Sequence, residues 1–121
     1  MSDDNQLQQL AALATAARRT LVTMQAEENP STHAEEQDYE ARFDLAYNAF
    51  RAAVDRAEMI APVTPAGFQA KAGILLLVLE HIVATNIGET LEDVAKGIAG
   101  DASDKFSVAL ARDLVAWRVP A

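Results

Sequence analysis

Apolar residues open the chain at Leu7, Leu10, Ala14, Ala17, Leu21 and Met24, stepping by three, four, three, four and three. Steps of that kind put all six on one face of a helix. Leu13 and Val22 widen the stripe. The spacing predicts a helix over about 5–28, stopped by Asn29-Pro30 because the residue before a proline is pushed out of helical backbone. Thr32, with Glu35 three residues on, has capping-box spacing and starts a second helix that runs to about 61. Its seam is Tyr39, Phe43, Ala46, Phe50, Ala53, Ala57 and Ile60, flanked by Tyr47 and Val54.

Pro62-Val63-Thr64-Pro65 ends that helix and begins a third over about 65–87, with Pro65 at the first position, where a missing N–H costs nothing, and Gly88 as the C-cap. The run Ala72–Leu79 is apolar at eight consecutive positions, well short of the ~20 needed to cross a bilayer, so the helix is expected to be buried on most sides. A short helix over about 90–98 carries Leu91, Val94 and Ile98, with Thr90 and Asp93 as a cap pair and Gly97 and Gly100 as its end. Ser103 is expected to cap a last helix over about 103–118, with the seam Phe106, Leu110, Leu114 and Trp117, stopped before Pro120. Connections of two to five residues favour antiparallel neighbours. The fold expected is all-α, an antiparallel bundle of four long helices plus one short one, as a single domain over residues 1–121.

Two glycines, Gly67 and Gly73, lie in the most apolar helix, where each costs roughly 1 kcal/mol relative to alanine. Ala66, Ala70, Gly73 and Leu77 follow at four, three and four, a strip of small side chains that predicts close packing against the aromatics of the second helix. The segment Pro62-Val63-Thr64-Pro65-Ala66-Gly67-Phe68-Gln69-Ala70-Lys71 resembles one found in small alphaproteobacterial all-helical proteins, with the pattern P-x-T-x-A-G-x-x-x-K. The stretch 107–115 is similar to their last helix. The resemblance implies a helical bacterial protein, with no catalytic residues to carry over. Those proteins often have a second threonine where this chain has Pro65.

Composition narrows the choice of function. Of 121 residues, half are hydrophobic and 23% are charged, which is globular usage. The absence of cysteine excludes disulfides, thiolate metal sites and cysteine nucleophiles. Eighteen acids against ten bases leave −8 and a pI near 4.6, which argues against nucleic-acid partners and a polybasic membrane contact. The start, Met1-Ser2-Asp3-Asp4-Asn5, is polar and acidic, unlike a signal peptide, so the expected compartment is the cytoplasm.

The densest charge spans residues 27–44, with seven acids (Glu27, Glu28, Glu35, Glu36, Asp38, Glu40, Asp44) against Arg42 alone. Glu36, Glu40 and Asp44 share a helix face, and His33 adds a nitrogen, so these four are the candidate metal ligands. An all-α nucleotide pyrophosphohydrolase would need Glu-Glu-x-x-Glu and then Glu-x-x-Asp. Here Tyr39 follows Glu35-Glu36 at the required place, with Glu40 one residue late, and Val83 stands three after Glu80. A di-iron bundle would need Glu-x-x-His, and Val78 precedes His81 by three. Glu80 and His81 point about 100° apart on a helix and mark the polar exit of the buried segment. Arg18-Arg19 is expected on the outer face of the first helix, neutralising part of the acidic surface.

These readings favour a non-enzymatic bundle without cofactor, acting through protein contacts and forming a homodimer. The interface candidates are Leu13, Val22, Val108 and Val115. A compact monomer closed by the last helix and Trp117 is the rival arrangement. From other classes come a metal-dependent or small-molecule-binding enzyme with acids near the first turn, and an acidic decoy of a basic DNA-binding partner.

Overall fold

Each long helix begins and ends where local chemistry dictates, in a computed structural model that describes residues 3–27, 29–87, 90–97 and 102–117. Among these residues there are five helices, α1 (Asp3–Gln25), α2 (His33–Glu58), α3 (Pro65–Ile87), α4 (Leu91–Ala95) and α5 (Ala102–Ala116), and no strand. The protein is an all-α bundle. Glu28, Gly88, Ile98, Gly100 and Pro120 lie outside the described residues. None of the described helices is long and apolar enough to cross a membrane.

Thr32 caps α2 by accepting from Glu35 N at 3.1 Å, while the Glu35 carboxylate reaches one residue further back, to Ser31 N. Thr90 and Asp93 close a full capping box on α4. Gly97, at φ +79°, ends that turn in the left-handed region that favours glycine. Ser103 lies inside α5 rather than before it.

Chain neighbours α1 and α2 run antiparallel, as do α3 and α5, but α1 and α3 run parallel: Asp4 meets Thr64 at one end, and Arg18 meets Glu80 further along. Parallel alignment follows from an up-down-up path through two short turns. The main core takes the predicted seams of α1 and α2, with Leu7, Ala14 and Leu21 against Ala46, Phe50, Ala53 and Ala57, and adds Ile74 from α3. A smaller cluster joins α4 to α5 through Val94 and Val108, with Leu76 and Leu79 of α3 packed on it.

Two packing expectations are corrected. The strip on α3 is not a close contact: Ala66 is exposed, and a Cβ added at Gly73 would meet nothing within 4 Å. Ala70 and Leu77 do pack on the main core. We therefore expect Gly73→Ala to stabilise the protein by up to about 1 kcal/mol through helix propensity. A lowered midpoint in urea would show a hidden contact there. The close glycine is Gly67, which lies against Asp4.

The second correction concerns α5. Its predicted seam faces outward, with Phe106 71% and Leu110 50% exposed, and Val108 and Ala111 are the residues buried. Val108 is therefore no interface residue, whereas Leu13, Val22 and Val115 are exposed as an interface would require. The helix has two apolar faces, and α3 covers the one with the smaller side chains.

Candidate functional site

Three acids of the segment are held in a cap or in ion pairs, Glu35 at the start of α2 and Glu27 and Asp38 on Arg42. Arg42 gathers its neighbours, with Nη1 at 3.2 Å from the Glu27 carboxylate and Nε at 2.9 Å from Asp38, over the ring of Tyr39. The hydrogen bonds it donates to Glu27 are the main reason that its guanidinium is held above the ordinary arginine range. His33, Glu36, Glu40 and Asp44 all lie exposed along α2. Among the described residues, no group of three or more His, Asp or Glu side chains is placed to hold a metal ion.

A buried polar node sits instead between α1, α2 and α3. Arg18 is only 4% exposed; its Nε donates to Glu80 Oε1 at 3.2 Å, and its Nη1 lies 3.3 Å from His81 Nδ1. The expectation that Arg18 lies on the outer face is thus wrong. It follows Ala14 by four and precedes Leu21 by three, so it falls on the seam itself. Its long side chain spans the angle between Glu80 and His81, and the fork of N–H donors serves both. Because a guanidinium only donates, Nδ1 of His81 accepts and Nε2 carries the proton. The imidazole lies 5.9 Å from the Tyr47 ring and 5.4 Å from that of Phe50. This arrangement ties three helices together. It presents no activated nucleophile.

Burial, and then the charge of Arg18, hold His81 below the ordinary histidine value, against a smaller opposing pull from Glu80. The folded protein therefore binds fewer protons than the unfolded chain just below about pH 6.5. This contribution to stability is complete above that pH and declines as pH falls toward the folded value. We expect the unfolding constant to rise by at most about tenfold per pH unit in that window. Urea titrations should show the slope flattened in His81→Gln. A slope that persists without His81 would remove the node from the explanation.

A second polar node joins the chain start to the turn before α3. Asp4, buried, accepts from Val63 N at 3.2 Å and Thr64 N at 2.7 Å, and contacts Thr64 Oγ1. The Thr64 hydroxyl in turn receives Gly67 N at 3.2 Å, capping α3. The Thr64 hydrogen bond above all holds the Asp4 carboxyl below its ordinary value. Spacing along the chain does not disclose Asp4, because it lies 60 residues from Thr64.

An apolar opening lies between α2, α3 and α5. Helix α5 packs on α3 and α4, and among the described residues its backbone does not lie against that of α2. A groove of about 410 Å³ remains, floored by Ala72, Ile74 and Val78 of α3, walled by Val54 and Ala57 of α2, and edged by Leu110 of α5. Lys71 stands at its edge with Nζ 2.7 Å from Ile60 O, closing the end of α2. No family model, curated protein or solved structure matches this chain.

Proposed function

We propose that the protein is a non-enzymatic, cytoplasmic helical module that works through protein contacts, and that it self-associates as a homodimer. One observation carries the reading. Large apolar side chains stand exposed along α3 and α5, Phe68, Leu75, Phe106 and Leu110 among them, and exposed apolar surface of that kind marks an interaction site.

Light scattering at about 10–100 μM tests the reading, because a micromolar dimer is populated across that range. A mass of two chains is expected, and a mass of one chain throughout would overturn it. The acids that a metal-dependent enzyme would use are exposed or engaged in caps and ion pairs, which supports the non-enzymatic reading. About 5–10 mM Mg²⁺ or Mn²⁺ should accordingly leave the melting temperature unchanged, since only a bound ion stabilises the folded state by mass action. A rise of several degrees would restore the enzyme.

A further inference from the structure

Two apolar faces compete for the dimer contact, and charge separates them. One lies on α1 and α2, around Leu13 and Leu45, with Arg19, Glu27 and Arg42 among its lining. It adjoins residues 27–44, which carry seven acids and one base. A two-fold contact there would bring two such segments together, and like charges at close range oppose association. The other face lies on α3 and α5. Helix α3 holds one base and one acid, Lys71 and Glu80, and α5 holds two of each, Asp104, Lys105, Arg112 and Asp113. Both helices are neutral, and the two charged residues that line the groove, Glu58 of α2 and Lys71 of α3, are of opposite sign, so this face can meet itself without a net penalty.

Its shape also suits a copy of itself. A closed two-fold contact uses the same patch twice, so the patch must carry both the projection and the recess. Here Phe106 and Leu110 project along α5, one turn apart, and the apolar groove between α5 and α2 lies directly beside Leu110. Phe68 and Leu75, 45% and 40% exposed, extend the recess along α3.

Building on the self-association reading, we infer that the occupant of the α2–α3–α5 groove is the α5 helix of a second copy, entering with Phe106 and Leu110. Each chain then fills the gap that its own last helix leaves open, and the Leu13 and Val22 face stays outside the contact.

Light scattering and sedimentation on the full chain and four variants decide this. Phe106→Glu and Leu110→Glu should weaken the dimer at least about thirtyfold, as loss of a central anchor does. Leu13→Glu and Val22→Glu should leave it unchanged. Circular dichroism checks that each variant keeps its helix content. A wild-type measurement needs no variant: the emission of Trp117, one residue past the end of α5 and 42% exposed, should shift to the blue as the dimer fills. A dimer broken by Leu13→Glu or Val22→Glu but indifferent to Phe106→Glu and Leu110→Glu would overturn the assignment of the face while leaving self-association intact. A dimer that forms without any shift in Trp117 emission would do the same. A single-chain mass at every concentration would overturn both.

Discussion

Alanine in place of Gly67 should destabilise the protein, although alanine is the better helix former by about 1 kcal/mol. The added Cβ would stand 2.5 Å from Asp4 Cγ and 2.9 Å from its Oδ1, closer than packed atoms tolerate. Asp4 has a short side chain, is buried, and is pinned by Val63 N, Thr64 N and Thr64 Oγ1, so it has little room to withdraw. Overpacking of this sort costs about 1–3 kcal/mol, enough to lower the melting temperature by several degrees. The sign is diagnostic, because propensity alone would raise it. The double variant sharpens the test. Once Asp4→Ala removes the obstacle, Gly67→Ala should cost much less than it does alone. Additive losses would mean that the two residues do not collide.

Gly67 and Gly73 illustrate which parts of the fold the chain order discloses. Both glycines announce an anomaly inside an apolar helix, but the partner that gives one of them a purpose sits 63 positions away, at Asp4. No spacing rule connects a carboxylate in the first turn of α1 to the N-terminus of α3. The seams of α1 and α2, by contrast, were legible apart from Arg18. On each helix one apolar stripe dominates, and that stripe lies against the neighbours. Ala14, Leu21, Ala46 and Phe50 are buried as the spacing requires.

Helix α5 has two apolar faces, and periodicity cannot rank them. The bulkier one, with Phe106 and Leu110, reads as core by size, yet α3 receives Val108 and Ala111. A narrow face lets α5 lie close along α3, while its bulky face is left beside the groove. Arg18 was misplaced for a related reason. A charged residue on a seam invites assignment to solvent, and only the carboxylate and imidazole waiting on α3 make its burial tolerable. Within the acidic segment, Glu35 is engaged in the cap of α2 and Glu27 and Asp38 in ion pairs with Arg42, whereas the candidate ligands Glu36, Glu40 and Asp44 lie exposed. Only the cap is visible in the sequence, through the Thr32 and Glu35 spacing.

Phe50→Ala should produce the largest loss of stability, about 3–5 kcal/mol, the range for removing a buried phenylalanine. Phe50 is 4% exposed at the centre of the α2 seam, and the other buried residues of that helix are Ala46, Ala53 and Ala57. Methyl groups fixed to backbone cannot move in to fill the space of a ring, so the cavity should persist and the loss should fall toward the upper end. The ring also shields His81 at 5.4 Å. Without it, water reaches the imidazole, the histidine titrates nearer its ordinary value, and the loss of stability below about pH 6.5 becomes shallower. Phe106→Ala is the matched control, the same chemical change on a side chain 71% exposed. At concentrations too low for dimer it should alter stability by no more than about 0.5 kcal/mol, as surface substitutions do. Urea unfolding of the two variants, followed at about pH 7.5 and again at about pH 6, measures both effects. Equal losses from the two substitutions would place Phe106 in the core and take away the face assigned to the second copy. A small loss from Phe50→Ala would mean that the α1–α2–α3 core closes around something other than this ring.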